Sequence, residues 1–248
     1  MTRVALVTGA SSGVGLSIAR HLLARMRVIA VARRADRLRA AFGETPSVET
    51  IACDVADAAA FGRVLAELAA RTPGVDTLIN NAGIMTRAKI DELDSAALAQ
   101  AFAVNVQAPL AAMRALLPGM RTRGFGRIVS VTSGAPFNCF PGFGAYSATK
   151  GALNALTITA AREHADVDIR INLMSPGPVR SEMAPDAPMD PAVCHPTLDY
   201  LVDLPADGPT GRFFWLGREL PAVPDHDGVR WLEGQAPDRF PRVAEGPR

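Results

Sequence analysis

The sequence predicts an α/β fold: a doubly wound, mostly parallel sheet with helices covering both faces. Short apolar runs rich in β-branched residues alternate with helical patterns as far as Ser181. Glycines gather directly behind the first of those runs. No linker, repeat or break in composition divides the chain before its Pro- and Gly-rich end. Alternation at this spacing is the mark of successive βαβ units. With 248 residues, 48% of them hydrophobic, there is enough apolar material for one large core.

Arg3–Thr8 is an apolar run ended by Gly9, read as a strand buried on both faces. Val14–Arg25 puts Leu16, Ala19, Leu22 and Leu23 on one helical face. Val28–Ala32 reads as a second strand, Arg33–Phe42 as a short charged helix and Val48–Cys53 as a third strand. Asp57–Arg71 is a helix capped by its aspartate and closed near Pro73-Gly74. Thr77–Asn80 is a fourth strand. Ala96–Met120 is a long helical pattern that must kink or divide to accommodate Pro109. Arg127–Thr132 is a fifth strand, Ala145–His164 a long helix and Ile169–Met174 a sixth strand. Four prolines break 182–196, Leu198–Leu204 reads as a short apolar helix, and Arg212–Leu216 as a seventh and last strand. Residues 1–220 are therefore expected to form one domain. Residues 221–248 are read as an irregular tail around Trp231-Leu232.

Bulk properties narrow the partners. A net charge of +1 gives no electrostatic reason to bind nucleic acid or an anionic membrane. No apolar run reaches the roughly 18 residues of a membrane span, and no signal peptide is recognisable. Cys53, Cys139 and Cys194 are odd in number and far apart, which suits free thiols and a cytoplasmic location. The four histidines lack metal-ligand spacing, so no metal site is expected.

Two stretches carry chemistry. Thr8–Gly15 reads T-G-A-S-S-G-V-G between a strand and a helix. Gly9, Gly13 and Gly15 allow a tight turn and close approach by a ligand. The helix N-terminus at Val14 offers N–H groups and a positive dipole end to a pyrophosphate, and Ser11 and Ser12 add hydroxyls. At the end of the second strand, where an acid would bind a ribose 2′-hydroxyl, the chain has Arg33 and Arg34. Arg33 is positioned to fork onto a 2′-phosphate, which favours NADP(H), with NAD(H) as the alternative. Both arginines could instead begin a solvated helix, the better reading for Arg34. The second stretch is Ser133–Lys150, in which Tyr146 stands four residues before Lys150, one of only two lysines against two dozen arginines.

Taken together, these residues resemble the short-chain dehydrogenase/reductases. T-G-x3-G-x-G lies at Thr8–Gly15, N-N-A-G at Asn80–Gly83 and Y-x3-K at Tyr146–Lys150, with Ser133 and Asn105 in attendance. P-G-P-V-R-S at Pro176–Ser181 is similar to the family's P-G-x-V-x-T, and 204–214 resembles carbonyl-reductase-like members. The resemblance implies a seven-stranded Rossmann-like sheet and a catalytic set of Asn105, Ser133, Tyr146 and Lys150. It implies that Asp54 and Val55 lie near the adenine and that Asn81, Ala82 and Gly83 line the cofactor. Tyr146 and Lys150 would touch it as well. Pro176, Gly177, the backbone of Val179, and Ser181 would hold the carboxamide end. It further implies a homodimer or homotetramer.

The expected reaction is hydride transfer between nicotinamide and a small-molecule carbonyl or alcohol. Tyr146 would act as acid–base, its pKa lowered by Lys150, with Ser133 polarising the substrate oxygen. Ala135, Phe137, Cys139, Phe140 and Phe143 are the expected substrate wall, with core packing as the alternative for at least half of the interval. An epimerase that retains its cofactor, or a non-catalytic NADP(H)-binding sensor, are the competing readings.

Overall fold

The computed structural model describes residues 2–71, 74–223, 237 and 239. Its centre is one eight-stranded sheet in the order β3-β2-β1-β4-β5-β6-β7-β8. The strands are β1 (Val4–Thr8), β2 (Arg27–Ala32), β3 (Val48–Ala52), β4 (Thr77–Asn80), β5 (Gly126–Val131), β6 (Ile169–Ser175), β7 (Phe213–Trp215) and β8 (Arg218–Leu220). All neighbours pair in parallel except β7 with β8. Strand order reverses at β1, whose neighbours are β2 and β4. In such sheets that reversal opens a crevice beyond the carboxyl ends of the strands, where ligands bind.

Alternation along the strands supplies both faces. Leu6 and Ile29 join Phe61, Leu65 and Leu68 of α3 (Ala58–Ala70) and Met113, Leu116 and Met120 of α5 (Ala108–Arg123). Val7 and Ala30 turn the other way, onto Ile18 and Leu22 of α1 (Gly13–Leu22), Leu38 and Phe42 of α2 (Ala35–Phe42), and Leu198 and Leu201 of α8 (His195–Val202). Strands enclosed on both sides favour apolar residues at every position, as in β1, although β5 and β6 also bury Arg127 and Arg170. Each fully buried Leu, Ile or Phe contributes roughly 1.5–3 kcal/mol. Asp57 caps α3 as expected, accepting from the amides of Ala59 and Ala60.

Several boundaries differ from the sequence expectation. The sheet has eight strands rather than seven, because Leu216 (φ 46°) and Gly217 (φ 76°) form a two-residue hairpin that returns the chain as β8. A leucine at positive φ gives no turn signal. Helix α1 stops at Leu22 instead of Arg25: the amides of Arg25 and Met26 both bond to the Leu22 carbonyl, closing the end without a glycine. Helix α8 begins at His195 and takes Pro196 into its first turn, where a missing N–H costs nothing. A short helix, α6 (Ala135–Asn138), forms inside the interval before α7 (Gly144–Glu163). Trp231-Leu232 and most of the expected tail lie outside the described residues.

The pattern at 96–120 divides into α4 (Ser95–Phe102), a π turn (Ala103–Gln107) and α5. The Ala108 amide bonds to the Ala103 carbonyl, five residues back, and Pro109 lies in the first turn of α5. By length and composition Ser95–Arg123 is a helical run apolar enough to cross a membrane. Here Ala112, Met113, Leu116 and Met120 pack it into the core, and a core helix meets the same test.

Candidate active site

A cavity of about 1100 Å³ opens at the carboxyl ends of the strands, and the glycine turn forms its floor. Thr8, the last residue of β1, fastens the N-N-A-G segment to that turn. Its hydroxyl accepts from the amides of Asn81 (3.0 Å) and Ala82 (3.1 Å), and the Asn81 side chain donates to the Thr8 carbonyl at 2.9 Å. The resulting approach leaves no room for side chains. A Cβ on Gly15 would lie 2.3 Å from both the Gly9 oxygen and Asn81 Nδ2, and Gly9 itself has φ +71°. Ser12 precedes α1 in extended conformation but does not cap it, and the first turn carries no acid. Gly9, Ser11, Ser12, Gly13, Val14 and Gly15 all line the cavity. A cradle this close, at the N-terminus of a ten-residue helix, fits a pyrophosphate group.

Arg33, Arg34, Asp54 and Val55 form one end of the cavity. Arg33 is 60% exposed, with its guanidinium 3.9 Å from the Asp54 carboxylate. Arg34 does not extend into solvent, as the solvated-helix reading would have it. Its guanidinium folds back onto the Ser12 hydroxyl (2.9 Å) and the Glu182 carboxylate (2.8 Å), because Ser12 is free of capping duty and Glu182 stands opposite. Arg37 holds Glu182 too, and these contacts, Arg37's first, keep the Glu182 carboxyl below its ordinary range.

Glu182 belongs to a segment lying over the glycine turn. A Cβ on Gly13 would stand 3.1 Å from Ser181 Cβ. Pro176, Gly177, Val179 and Ser181 border the cavity. The Val179 N–H donates to the Gly177 carbonyl, and bridges from Val179 to Met189 and from Ser181 to Ala184 fold the Pro-rich segment on itself.

Ser133, Tyr146 and Lys150 meet at the cavity wall. Ser133 stands just beyond β5, with its Oγ accepting from the Ala135 amide at 3.1 Å. Tyr146 and Lys150 lie one turn apart on α7. Lys150 is buried and donates to the Val131 carbonyl at 2.8 Å, and burial lowers its pKa to about 8. Its Nζ lies 5.8 Å from the centroid of the Tyr146 ring. This corrects the expectation that Lys150 depresses the Tyr146 pKa. The ammonium is engaged by the Val131 carbonyl, and burial outweighs its charge at the phenol. Burial raises the phenol above its ordinary value, with a hydrogen bond from Ser133 opposing.

Asn105 is fully buried in the π turn. Its Oδ1 accepts from the Ile84 amide at 2.8 Å, and its Nδ2 donates to the Ile84 carbonyl and the Thr149 hydroxyl, both at 2.9 Å. It thus ties the loop after β4 to α7. A Cβ on Gly83 would sit 3.4 Å from Asn105 Oδ1 and 3.6 Å from Lys150 Nζ, so both side chains border one small space.

Ala135, Phe137, Phe140 and Phe143 line the far end. Cys139 does not, contrary to expectation. It terminates α6 in left-handed conformation (φ 46°), which turns its thiol outward onto the Pro136 carbonyl at 3.3 Å. Sequence reasoning does not find Met85, Arg87, Met183 and Trp215, which also line the cavity. None belongs to a motif. For Arg87 the available signal was its place four residues beyond N-N-A-G.

The family model for short chain dehydrogenase matches residues 3–191. The chain is 37% identical to 2-(R)-hydroxypropyl-CoM dehydrogenase of Xanthobacter autotrophicus over 192 residues, 74% of this chain and 77% of that one. It is 35% identical to L-xylulose reductase of Bos taurus over 85% of this chain and 83% of the other. Among solved structures, a metagenomic short-chain oxidoreductase in complex with NADP superposes with a TM-score of 0.77 at 30% identity, covering 86% of this chain and 96% of that chain. The match across three quarters of the chain, on a Rossmann-like sheet whose crevice gathers the glycine cradle with Ser133, Tyr146 and Lys150, establishes that the chain belongs to the short-chain dehydrogenase/reductase family of oxidoreductases.

Proposed function

We propose that the chain is an NADP(H)-dependent oxidoreductase acting on a carbonyl or secondary-alcohol substrate, with Tyr146 as general acid and base. One observation carries the reading: Ser133, Tyr146 and Lys150 open onto the same cavity as the glycine cradle. Gly9–Gly15 and the start of α1 would hold the pyrophosphate, Asp54 and Val55 the adenine, and Asn81–Gly83 the segment between. Pro176, Gly177, Val179 and Ser181 would meet the carboxamide. The choice of NADP(H) over NAD(H) is supported by Arg33 and Arg34 at that end of the cavity and by the NADP-bound solved relative. When bound, the nicotinamide supplies or accepts the hydride.

The remaining chemistry falls to the protein. The raised pKa keeps Tyr146 protonated at neutral pH, which suits it to give a proton to a carbonyl oxygen. Lys150, still largely charged at pH 7, stabilises the phenolate once that proton leaves. Ser133 donates to the same substrate oxygen as charge develops on it. Asn105, bordering the same small space as Lys150, would hold in place a water that links Lys150 to solvent. Residues 1–220 would act as one unit, in the cytoplasm, as a homodimer or homotetramer, which sedimentation would test. Three free thiols support the cytoplasmic reading.

The Tyr146→Phe variant is the test. It should bind NADPH with unchanged affinity and lose at least about a thousandfold in turnover of any ketone the wild type reduces. Surviving turnover would refute the role of Tyr146.

A further inference from the structure

Among the described residues four cations line the cavity, and three of them face partners within the protein. Arg33 faces Asp54, Arg34 pairs with Glu182, and Lys150 donates to the Val131 carbonyl. Arg87 is the fourth. Among the described residues no carboxylate lies within ion-pairing distance of it. Its guanidinium instead rests over the Phe143 ring, 4.8 Å from the centroid.

The backbone beneath Arg87 is fixed. The Ala88 amide donates to the Gly142 carbonyl at 3.1 Å, and Ala88 and Phe143 form a parallel bridge. Ile90 reaches across the start of α7, close enough that a Cβ on Gly144 would lie 2.6 Å from its Cδ1. Arg87 is therefore held against the first turn of the helix that carries Tyr146, which follows Phe143 by three positions. A guanidinium stacked on a ring keeps its donor fork free at the edge and has already lost much of its rotational freedom.

The cavity is also rich in aromatic side chains. Of ten Phe, two Trp and two Tyr in the chain, Phe137, Phe140, Phe143, Tyr146, Phe213 and Trp215 line this one cavity. Phe137 and Phe140 leave 48% and 57% of their surface exposed, so both can offer a ring face to a ligand in the cavity they line.

We propose that Arg87 is a specificity-determining residue, and that the substrate is an aromatic ketone, or the matching secondary alcohol, bearing a carboxylate that Arg87 grips by its fork. This deepens the redox reading and rests on it for the ketone. The carboxylate is recognised by charge-assisted, bidentate hydrogen bonds, and the aryl body by the ring-lined wall.

Titration calorimetry with the ω-oxo-ω-phenyl carboxylic acids of increasing chain length, each against its neutral carboxamide, tests this without turnover. The wild type should bind at least one acid about 10- to 100-fold more tightly than its amide. Arg87→Gln should erase that ratio and Arg87→Lys should keep part of it. Lys89→Gln, which removes a neighbouring charge outside the cavity wall, should leave it intact. Equal affinity for every acid–amide pair in the wild type would overturn the proposal. So would a ratio that survives Arg87→Gln, or one that Lys89→Gln erases equally. An NADPH-oxidation assay on the same panel separates the two readings. Reduction without acid preference refutes the role of Arg87 and leaves the redox reading standing. Arg87-dependent acid binding with no reduction of any member leaves the anion site standing and counts against the redox reading.

Discussion

Replacing Lys150 with methionine should make the protein more stable while abolishing its activity. Burial lowers the lysine pKa from its ordinary 10.5 to about 8. Below pH 8 both the folded and unfolded chains hold the proton, and the buried charge costs the folded state about 3 kcal/mol. As pH rises past 8 the folded protein releases the proton while the unfolded chain keeps it up to 10.5, so wild-type stability climbs with pH. The remaining cost at pH 9 is roughly 2 kcal/mol. Methionine fills a similar volume, removes the charge, and gives up the hydrogen bond to the Val131 carbonyl, worth about 1 kcal/mol. The variant should therefore gain about 2 kcal/mol at pH 7 and about 1 kcal/mol at pH 9. Urea unfolding followed by circular dichroism at both pH values reads the difference. A variant no more stable than wild type at pH 7, or an advantage that does not shrink toward pH 9, would refute the reasoning. The charge would then have to be better solvated than its enclosure implies.

Other outcomes follow from the same geometry. Gly15→Ala places a methyl 2.3 Å from the Gly9 oxygen, so it should destabilise the fold by about 1–3 kcal/mol and abolish NADPH binding, as read by thermal melts and fluorescence titration. Thr8→Val keeps the shape but strips the acceptor from the Asn81 and Ala82 amides, which should cost about 2–3 kcal/mol in chemical denaturation. Arg33→Ala should raise KM for NADPH about tenfold while barely changing that for NADH. An equal rise for both would exclude a 2′-phosphate contact at this residue.

Most of the fold and the main lines of the site could be read from the chain because they rest on local chemistry. Buried parallel strands are mostly apolar, which marked the inner strands, while β3 (Val-Glu-Thr-Ile-Ala), only half-buried, was marked by its β-branched residues. Positive φ and close backbone approach need glycine, which marked Gly9, Gly13 and Gly15. What escaped depends on residues meeting from distant parts of the chain. The sequence favours a solvated Arg34 because Glu182, its partner, lies 148 positions away. Arg87 acquires meaning only when Ala88 pairs with Phe143 across the chain. The balance of the Tyr146 and Lys150 pKa values was misjudged for a related reason. Spacing shows that two side chains share a helix face, but not that burial will outweigh the neighbouring charge. Cys139 sits in the right interval, yet a left-handed backbone turns it outward, and no neighbouring residue announces that conformation.

The π turn at Ala103–Gln107 gives the Ser95–Arg123 helix a property that a straight helix lacks. One surplus residue in a turn rotates everything after it by about 100° relative to what came before. Pro109 makes the swelling inexpensive, since it has no N–H to contribute to the ladder at that point. The angular phase of Asn105 toward Ile84 and Thr149 is thereby uncoupled from the phase of Ala112, Leu116 and Met120 toward the core. The turn works as a vernier between a polar alignment and an apolar one. The core stripe of α5 can be repacked without re-aiming Asn105, whereas deleting a single residue from the turn would throw the two out of step.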